Sequence, residues 1–184
     1  MGPLLPSAVM TEIQVVNLSD RPAGLQRVAE ALAAAGHPHA PVMLNDAART
    51  AQQAADALGV SLGQIAKSII FRRKADDVAV LVVTSGDLRV DEHKVKALVC
   101  AEGAKLGRAD AEFVKAKTGF SIGGVSPLAH ATELVTLIDR QLFRFSEIWA
   151  AAGHPHGVFR LTPEDLKTLT RAPVHDVTES GPLT

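Results

Sequence analysis

Two stretches of the sequence carry residue types that could do chemistry. The first, residues 63–71, brings Lys67 into an apolar run that is typical of a strand. The second is a glycine-rich loop, residues 118–127, that reads Thr-Gly-Phe-Ser-Ile-Gly-Gly-Val-Ser-Pro. A lysine is costly to bury unpaired, so Lys67 either extends into solvent or points into a cleft where it meets an anion.

The glycine-rich loop offers backbone amides rather than reactive side chains. Gly123 and Gly124 permit positive φ and close approach of the backbone, and Pro127 stiffens the exit. Such amides could hold an oxyanion or a phosphate, and an ordinary tight turn is the alternative interpretation. The sequence has neither the Gly-x-x-x-x-Gly-Lys-Ser/Thr phosphate loop nor the Gly-x-Gly-x-x-Gly motif, which argues against kinase and dehydrogenase chemistry.

Other reactive residues give weaker patterns. Two His-Pro-His units, residues 37–39 and 154–156, have no acid or cysteine at ligand spacing, so we expect neither a metal nor a cofactor. Ser126 is not in a Gly-x-Ser-x-Gly elbow, which disfavours a serine triad. The chain has no tyrosine, which removes phenolic catalysis.

Charge and composition limit the partners. A formal net charge of -1 provides no global field for nucleic acid, so we expect no DNA binding, and any polyanion must use a local basic patch such as residues 72–74. The longest apolar run, residues 78–84, is too short to span a membrane. Cys100 is the only cysteine. These features predict a cytoplasmic protein with no membrane partner and no internal disulfide.

The elements that must position Lys67 and the loop form a mixed pattern. Helices are predicted from Asp20 to Gly36, over residues 47–58, 91–100 and 110–117, and after Thr162. Strands are predicted at residues 40–44, 67–73, 78–84, 105–108, 134–138, 147–151, 158–161 and 174–177.

Helices and strands do not alternate strictly, which favours an α+β fold over a doubly wound parallel sheet. We expect a curled, barrel-like mixed sheet flanked by helices. A length of 184 residues with 47% hydrophobic content fits one domain. We predict a single domain over residues 19–184, preceded by a poorly ordered extension over residues 1–18.

Four motifs together resemble a known family. They are the strand entry Ala66-Lys67-Ser68, the glycine-rich loop, the run Leu-Val-Thr-Leu-Ile-Asp that ends at Asp139, and the run Leu-Thr-Pro-Glu-Asp-Leu over residues 161–166. In order and spacing the chain resembles the YbaK/EbsC family, which is similar to the editing domain inserted in bacterial prolyl-tRNA synthetase. The resemblance covers residues 25–177 and implies the mixed, barrel-like fold of that family.

The resemblance also implies an activity and a site. The activity is hydrolysis of mischarged tRNA for proline that carries alanine, cysteine or 2-aminobutyrate. Lys67 would bind the phosphate or ribose of the terminal adenosine, loop amides would stabilise the oxyanion, and a ribose hydroxyl would assist the attacking water. The implied catalytic residues are Lys67, Gly123, Gly124, Val125 and Ser126, and the implied substrate-binding residues are Ser68, Phe120, Pro127, Asp139, Ala151 and His154.

Three positions depart from the family pattern. Phe120 stands where tyrosine is frequent, Ser68 where threonine or asparagine is common, and Ala151 where some relatives carry a hydroxyl. With these departures, the motif does not specify which amino acid is removed. The implied partners are aminoacyl-tRNA and prolyl-tRNA synthetase. The alternative hypothesis is a non-catalytic module that binds tRNA or the synthetase with the same fold.

Overall fold

The computed structural model describes residues 13–14, 22–45 and 48–180. Within these ranges the helices are α1 (Ala23–Ala34), α2 (Ala51–Leu58), α3 (Glu92–Val99), α4 (Ala111–Thr118) and α5 (Pro163–Thr170). The strands are β1 (Ile13–Gln14), β2 (Val42–Leu44), β3 (Ile65–Arg73), β4 (Val78–Ser85), β5 (Leu106–Arg108), β6 (Val135–Asp139), β7 (Ile148–Ala151), β8 (Gly157–Leu161) and β9 (Val174–His175). Short 3₁₀ helices cover Leu62–Gln64 and Arg140–Arg144.

Side-chain caps explain where the helices begin. The Asp110 carboxylate accepts a hydrogen bond from the amide of Phe113 at 2.8 Å and starts α4. At α5, Thr162 and Asp165 form a reciprocal capping box, and Pro163 occupies the first turn. These two predicted helix starts are confirmed. The predicted start of the first helix, residue 20, lies outside the described residues. The second helix begins later than the predicted residue 47, because residues 48–50 are not helical and Thr50 forms the capping box with Gln53.

The strands form one mixed sheet in the order β1-β2-β8-β7-β3-β4-β6-β9, with β5 also paired to β3. The pairs β3–β7, β4–β6 and β6–β9 are parallel, and the other pairs are antiparallel. Among the described residues no pairing joins β1 to β9, so the sheet is open and does not close into a barrel. The predicted mixed α+β fold is confirmed.

Strand β4 is the buried centre of the sheet, as its apolar sequence predicts. Leu81 and Val83 pack in the core cluster that holds residues of α1, α4 and α5. Val80 and Val82 point to the opposite face, in the cluster that holds Val95 of α3. The sheet is therefore covered by helices on both faces.

The pairing of β3 is interrupted on one edge. Its first residues, Ile65 and Ala66, pair in parallel with β7, and its last residues, Phe71–Arg73, pair with β5. Between them, residues 67–70 are paired only to β4 within the described part of the chain. The interruption leaves space beside Lys67 and Ser68 in the middle of the sheet.

The N-terminal region contributes only β1 to the described structure. Ile13–Gln14 pairs with β2, and the rest of the predicted extension over residues 1–18 lies outside the described residues. None of the described helices is long and apolar enough to cross a membrane.

Arg27 of α1 binds the first residue of the glycine-rich loop and a residue just after the loop. Its guanidinium donates to the carbonyl oxygen of Ala129 at 2.8 Å through Nε and to that of Thr118 at 3.2 Å through Nη2. It also lies 4.7 Å from the centre of the Phe120 ring. The planar fork of the guanidinium suits these several contacts at once.

We predict that Arg27→Ala lowers the free energy of unfolding by about 1–3 kcal/mol, because the carbonyl oxygens of Thr118 and Ala129 lose their donor. Arg27→Lys should recover only part of this loss, since an ammonium cannot reproduce the fork. Urea denaturation measures both, with the exposed Gln26→Ala on the same helix as the control. A lysine variant as stable as the wild type would contradict this role.

Candidate active site

A cavity of about 230 Å³ lies at the interrupted edge of β3. It is lined from both faces of the sheet, by Thr50 and Ala51 at the start of α2 on one side and by the glycine-rich loop on the other. Five of the predicted site residues line this cavity: Lys67, Ser68, Gly123, Val125 and Ala151. Lys67 and the loop are far apart in sequence but share this cavity.

Lys67 is half-buried without a counter-charge. Among the described residues its Nζ has no hydrogen bond and no ion pair. Burial lowers the pKa of Lys67 below its ordinary value, nearby Arg89 lowers it further, and Asp87 opposes the shift. An anionic ligand at Nζ would offset the cost of burying the charged ammonium. The site therefore favours a negatively charged or strongly accepting group.

A second, wider groove of about 1000 Å³ also reaches Lys67. It is lined by charged side chains that include Asp87, Arg89, His93 and Arg108. Lys67 therefore lines both a small, mainly apolar cavity and a larger groove that also carries charged side chains. This arrangement suits a ligand with a small end and a larger polar end.

A tight turn fixes the tip of the glycine-rich loop. The amide of Gly124 donates to the carbonyl oxygen of Ser121 at 3.0 Å, and Gly123 has φ +92°, which favours glycine. The predicted oxyanion donor at Gly124 is therefore already engaged in the turn. Within the described residues the amides of Gly123, Val125 and Ser126 make no backbone hydrogen bond.

Gly124 also sits directly against the backbone of His154. A Cβ atom at this position would lie 2.7–2.9 Å from the backbone atoms of His154, closer than packing allows. The loop therefore packs closely against the segment after β7, at a position that has no room for a side chain.

Three other predicted residues support the loop from behind and do not line the small cavity. The Ser126 hydroxyl is buried and accepts from the amide of Leu128 at 3.3 Å. Pro127 is buried, and the buried Phe120 ring faces Arg27. In these positions the three residues hold the loop in place.

His154 is placed away from the small cavity. It lines a separate space of about 340 Å³ together with Phe120, and its Nδ1 accepts from the amide of His156 at 3.1 Å. Its neighbour Pro155 does line the small cavity. No group of three or more metal-ligating side chains is found in the described part of the chain.

Asp139 lies in neither the small cavity nor the groove. It is 0% exposed, and its carboxylate accepts hydrogen bonds from the amides of Val177 at 3.1 Å and Gln141 at 3.2 Å. The Thr178 hydroxyl lies 3.3 Å from the same carboxylate. The side chain therefore ties the end of β6 to the segment after β9, which differs from the predicted contact with substrate.

The sequence did not point to two residues around Lys67. Trp149 of β7 lines the small cavity, and Arg89, in the loop after β4, lines the groove. The position of Trp149 depends on the parallel pairing of β7 with β3, for which the sequence gives no local signal. An arginine shortly after a buried strand is a signal that could have indicated Arg89.

We predict that Asp139→Ala lowers the free energy of unfolding by about 1–3 kcal/mol, because buried donors lose their acceptor. The matched control is Asp176→Ala, which removes exposed ion pairs with Lys94 and Arg140 and should cost less than about 1 kcal/mol. Denaturant unfolding of both variants measures the difference. Equal losses would contradict the structural role of Asp139.

Comparison with known proteins identifies the family. The family model for the aminoacyl-tRNA editing domain matches residues 45–169. The uncharacterized protein YwhH of Bacillus subtilis (strain 168) is 37% identical over 117 residues, which cover 64% of this chain and 72% of YwhH. A crystal structure of a candidate trans-editing enzyme for prolyl tRNA synthetase is 40% identical, with a TM-score of 0.80 over 88% of this chain and 100% of that one.

A proline–tRNA ligase of Thermoanaerobacter sp. (strain X514) is 28% identical over 94 residues, which cover 51% of this chain and 16% of the ligase. The similarity is therefore confined to a small part of that enzyme. On the match of the family model and of the whole fold, the chain belongs to the aminoacyl-tRNA editing domain family, the YbaK family.

Proposed function

We propose that the protein hydrolyses the ester bond of mischarged tRNA for proline and so removes a small non-cognate amino acid. One observation carries the proposal: Lys67 and the glycine-rich loop line the same small cavity. The family membership and the similarity to a candidate trans-editing enzyme support it.

The two spaces that Lys67 lines suit the two parts of such a substrate. The small cavity would take the aminoacyl group, and the larger groove would take the terminal adenosine. Lys67 would then contact the ribose or phosphate between them. Ser68 and Ala151 bound the small cavity, so side-chain size limits what enters. Because one methylene is worth only about 1–3 kcal/mol, alanine, cysteine and 2-aminobutyrate would overlap as substrates.

Hydrolysis would proceed by attack of water on the ester carbonyl. The amides of Gly123 and Val125, which line the cavity, would stabilise the oxyanion that forms, whereas Gly124 keeps its bond to Ser121 and Ser126 supports the loop from behind. The bond between the carbonyl carbon and the ribose oxygen then breaks, and the ribose hydroxyl leaves with a proton.

The described residues that line the small cavity include no carboxylate and no imidazole. The proton of the attacking water therefore needs another acceptor. The neighbouring ribose hydroxyl of the terminal adenosine would orient the water and relay this proton.

Prolyl-tRNA synthetase is the proposed partner, since a net charge of -1 contributes little attraction to tRNA.

The test is a deacylation panel with tRNA for proline charged with alanine, cysteine, serine, 2-aminobutyrate or proline. We expect hydrolysis of the small non-cognate esters and sparing of the prolyl ester. Binding without hydrolysis of any ester would instead indicate the non-catalytic module.

We predict that Lys67→Ala lowers kcat/KM for the alanyl ester about ten- to hundredfold, the usual worth of a hydrogen bond to a charged group. Lys67→Arg should retain part of the activity because it keeps the charge. The matched control is the exposed Lys74→Ala just beyond the same strand, which should behave as wild type. A Lys67→Ala enzyme as fast as wild type would remove Lys67 from the site.

A further inference from the structure

The register of β3 determines which of its backbone groups face the interrupted edge. Successive residues of a strand direct their N–H and C=O groups to alternate edges. The carbonyl oxygen of Ile65 accepts from the amide of Gly86, which directly follows β4, at 2.7 Å. The amide of Lys74 donates to the carbonyl oxygen of Lys105, just before β5, at 3.0 Å. Odd-numbered residues of β3 therefore face β4, and even-numbered residues face the edge that β7 and β5 share.

Two backbone groups on this shared edge lack a hydrogen bond within the described part of the chain. They are the carbonyl oxygen of Ser68 and the amide of Ile70, because pairing with β7 stops at Ala66 and pairing with β5 starts at Phe71. The two groups are neighbours on the edge, since they belong to residues i and i+2 of one strand. The edge thus presents one acceptor directly beside one donor.

The backbone of Ile70 reaches the groove of about 1000 Å³. The side chain of Ile70 packs in the core cluster that holds Leu81 and Val83, on one face of the sheet. Ile69 packs in the cluster on the other face, and Ile69 and Ile70 both line the groove. Because the side chain of Ile70 points to the face away from Ile69, the part of Ile70 that borders the groove is its backbone.

The length of the gap limits what can bind there. Four residues of β3, 67–70, separate the end of the β7 pairing from the start of the β5 pairing, which is roughly 13 Å along the strand. A peptide that adds to a sheet as a strand continues along the edge in both directions. Here it would collide with β7 and β5. The gap therefore suits a small planar group better than an extended chain.

An adenine base has the complementary pair of groups. Its N6 amino group is a donor, and the ring nitrogen beside it is an acceptor. The N6 amino group can donate to the carbonyl oxygen of Ser68 while the ring nitrogen accepts from the amide of Ile70. Guanine and hypoxanthine carry an oxygen in place of the amino group, and two acceptors would then face each other at Ser68.

We propose that the open edge of β3 recognises the terminal adenine of the tRNA through the carbonyl oxygen of Ser68 and the amide of Ile70. The inference rests on the proposed function and adds how the site would select its terminal nucleoside. Since both protein groups belong to the backbone, this selectivity needs no polar side chain in the groove.

The first test changes the base on the substrate and leaves the protein intact. The alanyl ester is prepared on tRNA for proline that ends in adenosine, purine riboside, inosine or 3-deazaadenosine. Purine riboside lacks the amino group, so kcat/KM should fall about three- to tenfold, as expected for one neutral hydrogen bond. Inosine should lose about ten- to hundredfold, because its oxygen faces the Ser68 carbonyl without a proton between them. The matched control is 3-deazaadenosine, which keeps both groups and should behave as adenosine.

Purine riboside or inosine esters cleaved as fast as the adenosine ester would overturn the inference and leave the proposed function standing. An equal loss with 3-deazaadenosine would also overturn it. If the adenosine ester itself were not cleaved, the proposed function would fail, and adenine binding would be decided by a second measurement.

The second test follows the backbone amides of ¹⁵N-labelled wild-type protein by NMR and does not depend on hydrolysis. Adenosine 5′-monophosphate should shift the amide resonance of Ile70, and inosine 5′-monophosphate should shift it much less. The buried Val82 in the middle of β4 is the control and should not respond. Equal shifts with the two nucleotides, an unmoved Ile70 resonance, or no binding of adenosine 5′-monophosphate would contradict the inference.

Discussion

The short parallel pairing between β3 and β7 is the constraint on which the site depends. It holds for Ile65 and Ala66 and then ends, so that β3 continues with a partner on one side only until β5 joins it. An unpaired edge in the interior of a sheet leaves backbone groups and side chains without neighbours. The structure covers this gap with α2 and the glycine-rich loop, and the remaining space is the cavity beside Lys67.

The glycine-rich loop can present its amides because its other groups are fixed. Arg27 binds the carbonyl oxygens of Thr118 and Ala129, and Gly124 packs against the backbone of His154. Buried Phe120 and Ser126 fill the space behind it. Donors that are held before the substrate arrives need little reorganisation during the reaction, which is the basis of electrostatic stabilisation of an oxyanion.

Local sequence predicted the elements well because their signals are local. The apolar run of β4 indicated a strand buried on both faces, and Asp110 and Thr162 marked helix starts through their capping groups. Long-range pairing is different, because no local pattern states that β7 runs parallel to β3 or that the sheet stays open. Trp149, which depends on that pairing, was therefore missed.

The same distinction holds for the site. Lys67 and Gly123 could be proposed together because a buried lysine needs an anion and a glycine pair offers amides. Asp139 was assigned to substrate from its motif, yet its carboxylate is used by Val177, Gln141 and Thr178. Whether a polar residue at the end of a strand stabilises the fold or binds a ligand depends on its neighbours in space, which only the fold reveals.

The proposed reaction requires that the small cavity hold the aminoacyl group and the groove hold the adenosine, with Lys67 between them. A crystal structure with a non-hydrolysable amide analogue of alanyl-adenosine 5′-phosphate tests this directly. We expect the alanyl group beside Ser68 and Gly123, the adenine in the groove, and Nζ of Lys67 within hydrogen-bonding distance of the ribose or phosphate. An analogue bound elsewhere, or in the reverse orientation, would contradict it.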